Sequence, residues 1–553
     1  MRIFSRLLIA VTLISLQVSC ASASPQPAAP AATAAPAATA APEATAAPAA
    51  TAVPTVAAKG GDLVLASRGN SEPASLDGQV DPYGNVWMYN QWVTGNLVTL
   101  TPEGEYKPGL ATEWKFSADG KSFSMTLMTG QSFVDGTPFN AEAVKFNIDR
   151  LMDPATNSAL MANYVGVKEF QSVEVVDEYT VKINYKNPVV SVVWGLSVMP
   201  VWSPTAVQKY GANFHEYLVG MGPYKLTEWV KASHIKFVKD PNYKGPRSVN
   251  LDSITVRFVG EDAVLGEILK SDEANMVMEM PSQNLVDYIG NASFTVNTGY
   301  QAGTGMQFTM NTSRAPFNDL KVRQALRYAY DGEEANKTLY DGRYVTVKSP
   351  LTKFTRCYWS GAETVYNYDP EKAKALLEEA GWKVNPNTKI REKDGKPLVF
   401  TMSLLHHQEL GEWLSVQFRA IGADMKVEKV PGPVQLERAI KGDFDLIYQR
   451  LRGFEPDALY DMWFSQNLKP GGWAWSRFVN ARLDEVVAKA NSSADPKERC
   501  DLYTEAQKII TENAPGLPTV DNPIYYVLKN NVKGFKLGAI GSILIIDGMY
   551  VEN

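Results

Sequence analysis

Prolines at positions 30, 36, 42, 48 and 54 recur every six residues through a stretch of Ala, Thr and Ser running from Ala21 to Lys59. The stretch supplies almost no large apolar side chain for a core, and its prolines interrupt any continuous helix. It reads as a spacer: Pro-rich chain extends by about 3.1 Å per residue, a reach on the order of 100 Å here, with threonines available for O-glycosylation. All globular structure then falls to the 494 of 553 residues from Gly60 to Asn553. That is more than one core normally serves, so at least two lobes are expected.

Ahead of the spacer lies a secretory leader in outline. Arg2 and Arg6 make a basic start, Leu7 to Val18 is apolar, and Ser19, Cys20 and Ala21 are small. The apolar run is too short to span a bilayer alone. Leu16-Gln17-Val18-Ser19-Cys20 resembles a bacterial lipobox, with Gln17 at the place where leucine usually stands. Two outcomes remain open: lipid attachment at Cys20, anchoring the chain to the outer face of the cytoplasmic membrane, or ordinary cleavage near Ala21 or Ala23. In either case the protein is expected to be exported.

Net charge is −6, and −8 once Arg2 and Arg6 are set aside. An acidic surface repels polynucleotide backbones, so no nucleic-acid partner is expected. Three cysteines, Cys20, Cys357 and Cys500, form no CxxC pair to suggest a zinc or redox motif, and with four histidines no large metal cluster is expected. No GxSxG, GxxxxGK[ST], HExxH or strand-linked GxGxxG occurs, and carboxylates are too numerous, at 60, to single out a glycosidase pair. No enzyme activity, metal or cofactor is expected. Cys357 and Cys500 can pair in an oxidising compartment, but no cysteine framework requires it.

Beyond Gly60, helix and strand signals alternate. Asp369-Pro370 and Asp495-Pro496 each put an N-cap before a first-turn proline. The first helix runs through Ala373, Leu376 and Leu377 to Gly381; the second carries an apolar stripe of Leu502, Ala506, Ile509 and Ile510. Asp319 caps a third, with Val322, Leu326 and Ala329 inward. Residues 398–405, 425–430 and 445–448 read as strands. This alternation predicts α/β layering. Ser122 to Leu127 alternates instead, flanked by Asp119-Gly120 and Asp135-Gly136, which predicts an antiparallel patch before a helix capped by Asn140.

Several segments carry a resemblance in one consistent order: Leu110 to Gly120 (LATEWKFSADG), Phe133 to Val144 (FVDGTPFNAEAV), Gly220 to Tyr224 (GMGPY), Arg314 to Leu326 (RAPFNDLKVRQAL), Tyr368 to Leu377 (YDPEKAKALL) and Asn531 to Phe535 (NVKGF). Together they resemble the peptide/nickel class, family 5, of the extracellular solute-binding proteins that serve ABC importers. The resemblance implies a type II, two-lobed periplasmic-binding-protein fold of the large class. In such a fold an extra antiparallel subdomain is inserted in a discontinuous first lobe. Mapped here, 1–20 is the leader, 21–59 the tether, and 60–97, 220–300 and 527–553 the first lobe. Residues 98–219 form the insert and 301–526 the second lobe. The implied work is capture of a small solute by a monomer, by closure of two lobes, and its delivery to an ABC permease. A sensory solute receptor, or a nickel-chelate or oligosaccharide binder of the same fold, is the alternative.

Peptide-binding members of the family carry an aspartate just ahead of a Pro-containing turn. The turn here resembles Phe454-Glu455-Pro456-Asp457, and the aspartate position falls on Arg452. A guanidinium there repels an ammonium, so an anionic ligand is favoured over an ordinary free-amine peptide. Tyr448, Arg450 and Arg452 share one face if the strand continues. The two arginines then either clamp a carboxylate or phosphate or pair internally with Glu455, Asp457 or Asp461. Aromatic residues offer a second candidate surface: Trp473 and Trp475 at strand spacing, and Tyr83, Trp87, Tyr89 and Trp92 in the first lobe. The adjacent His406 and His407 point to opposite faces of a regular strand, which favours packing over metal ligation.

Overall fold

Asp62–Arg68 carries the unbroken apolar run Leu63-Val64-Leu65-Ala66 at its centre, as a strand covered on both faces does. In the computed structural model it lies inside a seven-stranded sheet. Ser253–Val259 and the short strand Met276–Val277 pair parallel to it on either side. His234–Lys239 and Tyr224–Val230 extend the sheet beyond Ser253–Val259. On the other side Ile524–Lys529 pairs antiparallel with both Met276–Val277 and Phe294–Gly299. One sheet thus collects strands from widely separated stretches of sequence. The structure describes residues 60–81, 85–243, 245–469 and 472–552, so the leader and spacer, with Cys20, lie outside the described residues.

A second sheet has five strands, in the order Asp424–Lys429, Val399–Leu404, Leu446–Gln449, Gln307–Met310 and Gly516–Pro518. The first three run parallel and are joined by Gln408–Ala420 and Gly432–Lys441, right where strand–helix alternation predicts layering. A third sheet of four antiparallel strands (Ala111–Phe116, Ser122–Leu127, Thr180–Tyr185 and Phe170–Asp177) lies wholly within the stretch expected to be the insert. Each sheet carries its own large apolar cluster. Among the described residues no helix is long and apolar enough to cross a membrane.

The capping signals hold atom by atom. Asp369, Asp495, Asp319 and Asn140 each accept a backbone N–H of their own first turn, at 2.9, 2.8, 2.9 and 3.0 Å. The stripe read on Pro496–Asn513 needs correction. Leu502 and Ile509 are only half-buried, and the inward face carries Arg499, Tyr503, Ala506, Gln507 and Ile510. Apolar periodicity misses the centre of that face because three of those side chains are polar and find partners inside. Gln507, for one, reaches the 357–359 segment: its amide donates to the Cys357 carbonyl at 2.8 Å and accepts the Trp359 N–H at 3.0 Å. Cys357 and Cys500, 143 residues apart, are bonded as a disulfide beside this contact, which resolves the question that spacing left open.

Candidate functional site

The strand Leu446–Gln449 ends at the sheet margin, and the chain continues extended past Gly303. Thr304 N donates to the Leu451 carbonyl at 2.8 Å, Leu451 N donates to Thr304 Oγ1 at 2.9 Å, and an isolated bridge joins Gly303 to Arg452. Gly303 has φ +107°, and a Cβ there would stand 2.3 Å from the Leu451 carbonyl oxygen. Only glycine admits this approach. Gly303→Ala is expected to lower stability by about 2 kcal/mol through clash and backbone strain. Denaturant unfolding with an unchanged midpoint would show that the 451–453 segment is not held there.

That segment and the following turn form one wall of a cavity of about 420 Å³. Leu451 to Gly453, Asp457, Asp461 of the helix Ala458–Trp463, and Trp473 contribute from this side; Tyr164, Lys168, Glu169 and Trp194 face them from the 98–219 stretch. The volume lies in the range of small-molecule sites, roughly 300 to 1,000 Å³. A larger cavity of about 690 Å³, lined by Trp92, Met221 and Ile540 among others, also exists. Its Arg247 and Asp547 neutralise each other at 2.6 Å.

Arg452 is exposed and is one of the residues lining the cavity. Among the described residues no side chain or backbone group bonds its guanidinium. Burial, with Arg450 close by, pushes its pKa down to about 9. A cation held so is one that an arriving anion stabilises. Arg450 behaves differently. It is ion-paired with Asp521, the two side chains being 8% and 3% exposed, and donates to Asn522 Oδ1 at 2.7 Å. The two-arginine clamp is not formed: Arg450 takes the internal pairing, with a partner, Asp521, that spacing did not suggest.

Glu455 and Asp457, read as possible partners of those arginines, are engaged elsewhere. Glu455 accepts from Tyr106 at 2.8 Å and from Arg356 at 3.2 Å. Asp457 accepts from Tyr503 at 2.7 Å and is ion-paired with the buried Arg499. Asp461 has no such partner among the described residues. Burial pushes its carboxyl up to about 6, with Lys168 opposing and Asp457 adding to the rise.

The aromatic candidates separate. Trp473 lines the cavity and stacks on Trp475, ring centroids 5.0 Å apart. Trp475 itself is buried against Phe444 and Ile447, its indole N–H donating to the Gly472 carbonyl at 3.1 Å. Trp87 stands behind the wall, edge-on to Tyr164 and Trp194. Tyr89 and Trp92 pack with Phe237 in the core under the large sheet rather than in the cavity, because their helix, Val86–Val93, turns that face to the sheet. Tyr448 packs on Phe308 in the second-sheet core, one strand residue before the chain leaves the sheet. Tyr83 lies outside the described residues. His407 pairs with Glu409 at 3.2 Å and meets Tyr340 and Tyr344 edge-on, away from the cavity. Aromatic and charge patterns missed Tyr164, Lys168, Glu169 and Trp194, since nothing local distinguishes them from other residues of the 98–219 stretch.

Residues 105–471 match the family described as "Bacterial extracellular solute-binding proteins, family 5 Middle". The glutathione-binding protein GsiB of Escherichia coli K12 is 30% identical over 465 residues, covering 82% of this chain and 89% of that protein. Among solved structures, NikA from Brucella suis in complex with Fe(III)-EDTA superposes with a TM-score of 0.77 at 24% identity, over 88% of this chain and 99% of that one. DppA from Helicobacter pylori with the peptide STSA gives 0.72 at 22%, over 90% and 99%. The α/β fold shared with these structures and the sequence match agree: the chain belongs to the bacterial extracellular solute-binding proteins of family 5.

Proposed function

We propose that this protein captures a small carboxylate- or phosphate-bearing solute in the 420 Å³ cavity and hands it to an ABC permease. The observation that carries the reading is Arg452, a residue of the cavity wall whose guanidinium makes no hydrogen bond or close ion pair among the described residues. A guanidinium without a hydrogen-bonded counter-charge in the free protein favours a complementary anionic ligand, which gives it charge-assisted bonds. Glutathione, with two carboxylates, is the first probe to test, since a relative at 30% identity is named for binding it. Capture proceeds by closure of the lobe built on the seven-stranded sheet against the lobe built on the five-stranded one, ligand shifting the open and closed populations.

Arg452→Ala is expected to weaken such a ligand by roughly ten- to a hundredfold, the loss of one charge-assisted bond of about 1.5 to 3 kcal/mol. Titration calorimetry measures it. Unchanged affinity for every carboxylate ligand that binds would sink the anionic-solute reading. The protein works as an exported monomer tethered through lipid on Cys20. Cys20→Ala is accordingly expected to move it from the membrane fraction to the soluble one; equal membrane retention would show that the anchor lies elsewhere.

A further inference from the structure

Residues 98–108 make a hairpin in which Val98–Leu100 pairs antiparallel with Tyr106–Pro108, its turn held by the Gly104 N–H donating to the Thr101 carbonyl at 2.9 Å. The tip does not end in solvent. Gly104 is buried with φ +82°, and a Cβ there would overlap the Phe454 ring. Phe454 comes from the 301–526 stretch and packs against the apolar cluster of the four-stranded antiparallel sheet. Next along the chain, Glu455 accepts the Tyr106 hydroxyl at 2.8 Å. Arg356 completes the group. Its guanidinium lies over the Tyr106 and Phe454 rings, 5.5 and 5.6 Å from their centroids, and donates to Glu455 Oε1 at 3.2 Å and to the Gly104 carbonyl at 3.3 Å.

Resting on the reading of capture by lobe closure, we infer that this hairpin is a clasp: Tyr106 is a positioning residue that holds the 98–219 stretch against Phe454 and Glu455 and keeps the solute-free protein largely closed. Three observations support this. Tyr106, Arg356 and Phe454 are not among the residues lining the 420 Å³ cavity, so the clasp stands outside the solute's space. Every contact in it is protein on protein and needs no solute. Its acceptor is also fixed in advance: Glu455 is 7% exposed, and its other carboxylate oxygen is ion-paired with Arg499 at 3.5 Å. Arg356 and Arg499 are the chain neighbours of Cys357 and Cys500, so one disulfide roots both arginines that hold Glu455. A carboxylate held so loses little further freedom when the hydroxyl arrives, which lets a single hydrogen bond count.

Such a clasp acts on rates in a way that a residue of the cavity wall does not. Solute enters and leaves through the open form. A bond that stabilises the closed form therefore slows entry into the free protein and release from the loaded one alike, and the dissociation constant moves less than either rate.

The test uses the full chain, bearing Cys20→Ala to keep it soluble, alone and with Tyr106→Phe or Gly104→Ala added. X-ray scattering without solute is expected to show a larger radius of gyration in both variants than in the parent. Glutathione is expected to return them to the parent's value. Stopped-flow mixing with glutathione is expected to show association and release each faster by roughly tenfold in Tyr106→Phe, the loss of one charge-assisted hydrogen bond, with a smaller change in Kd. Equal radii for the solute-free parent and Tyr106→Phe would overturn the clasp. A lower melting temperature with the parent's scattering and rates would leave Tyr106 a structural role only, and overturns it equally. If glutathione binds the parent and Tyr106→Phe changes neither radius nor rates, the clasp is wrong and capture stands. If the variants expand and no chain binds glutathione, the clasp stands and glutathione is not the solute.

Discussion

Asp521→Ala is expected to lower the free energy of unfolding by about 3 to 5 kcal/mol, because it leaves the Arg450 guanidinium buried without its counter-charge. The loss is aggravated by Arg452, whose own charge lies close to Arg450. Burial pushes the Asp521 carboxyl up, against the pull of both arginines, so the pair is held by geometry rather than by an easy electrostatic gain. Asp521→Asn keeps the shape and one acceptor for Arg450 and is expected to lose clearly less. Urea unfolding separates the two variants. Equal, small losses would mean that Arg450 finds Asn522 or solvent sufficient, and that the buried pair contributes little.

The second large effect concerns the bond between Cys357 and Cys500. Closing a loop of 143 residues restricts the unfolded chain by about 5 kcal/mol in the chain-entropy model, and removal of a native disulfide is typically worth about 2 to 5. The double variant Cys357→Ser, Cys500→Ser is expected to lose stability in that range. The effect should reach the cavity. The 352–357 segment bears Thr355, whose hydroxyl accepts the Gly303 N–H at 2.7 Å, and Arg356, whose N–H donates to the Phe454 carbonyl at 3.1 Å. Both contacts position the 451–454 wall. Weaker ligand binding together with lower stability is the expected outcome. An unchanged unfolding midpoint between the oxidised parent and the double variant would show that the bond does not form in the folded protein.

Sequence reading reached the elements more surely than the site. Helix starts at Asn140, Asp319, Asp369 and Asp495 were legible because a cap acts on its own first turn and needs no tertiary information. The strands at 399–404, 424–429 and 446–449 were legible for a similar local reason. What spacing does not encode is which charge meets which. Arg450 finds Asp521, 71 residues on, while the acids a few positions away turn to Arg356 and Arg499. Arg452, standing where the family's peptide binders usually carry an aspartate, does line the cavity, and it drew notice in the sequence because it departs at a fixed motif position. Asp461, by contrast, was read only as a possible internal partner, since a carboxylate without a partner becomes visible only when its surroundings are known. Tyr89 and Tyr448 illustrate the converse: an aromatic at a plausible position is more often packing material than a wall.

The place of Ile524–Lys529 in the seven-stranded sheet bears on how the chain reaches its fold. This strand, more than 450 residues after Asp62–Arg68, lies between Met276–Val277 and Phe294–Gly299 and pairs with both. Until it arrives, each of those strands presents an open edge, and edges of that kind template aggregation. Pairing across such sequence separation is slow to nucleate. A chain emerging in order therefore passes through a long interval in which its first sheet is incomplete and stays extended. Such an interval suits passage through a membrane as unfolded polypeptide, and it places the last folding step, and the need for chaperone protection, on the far side.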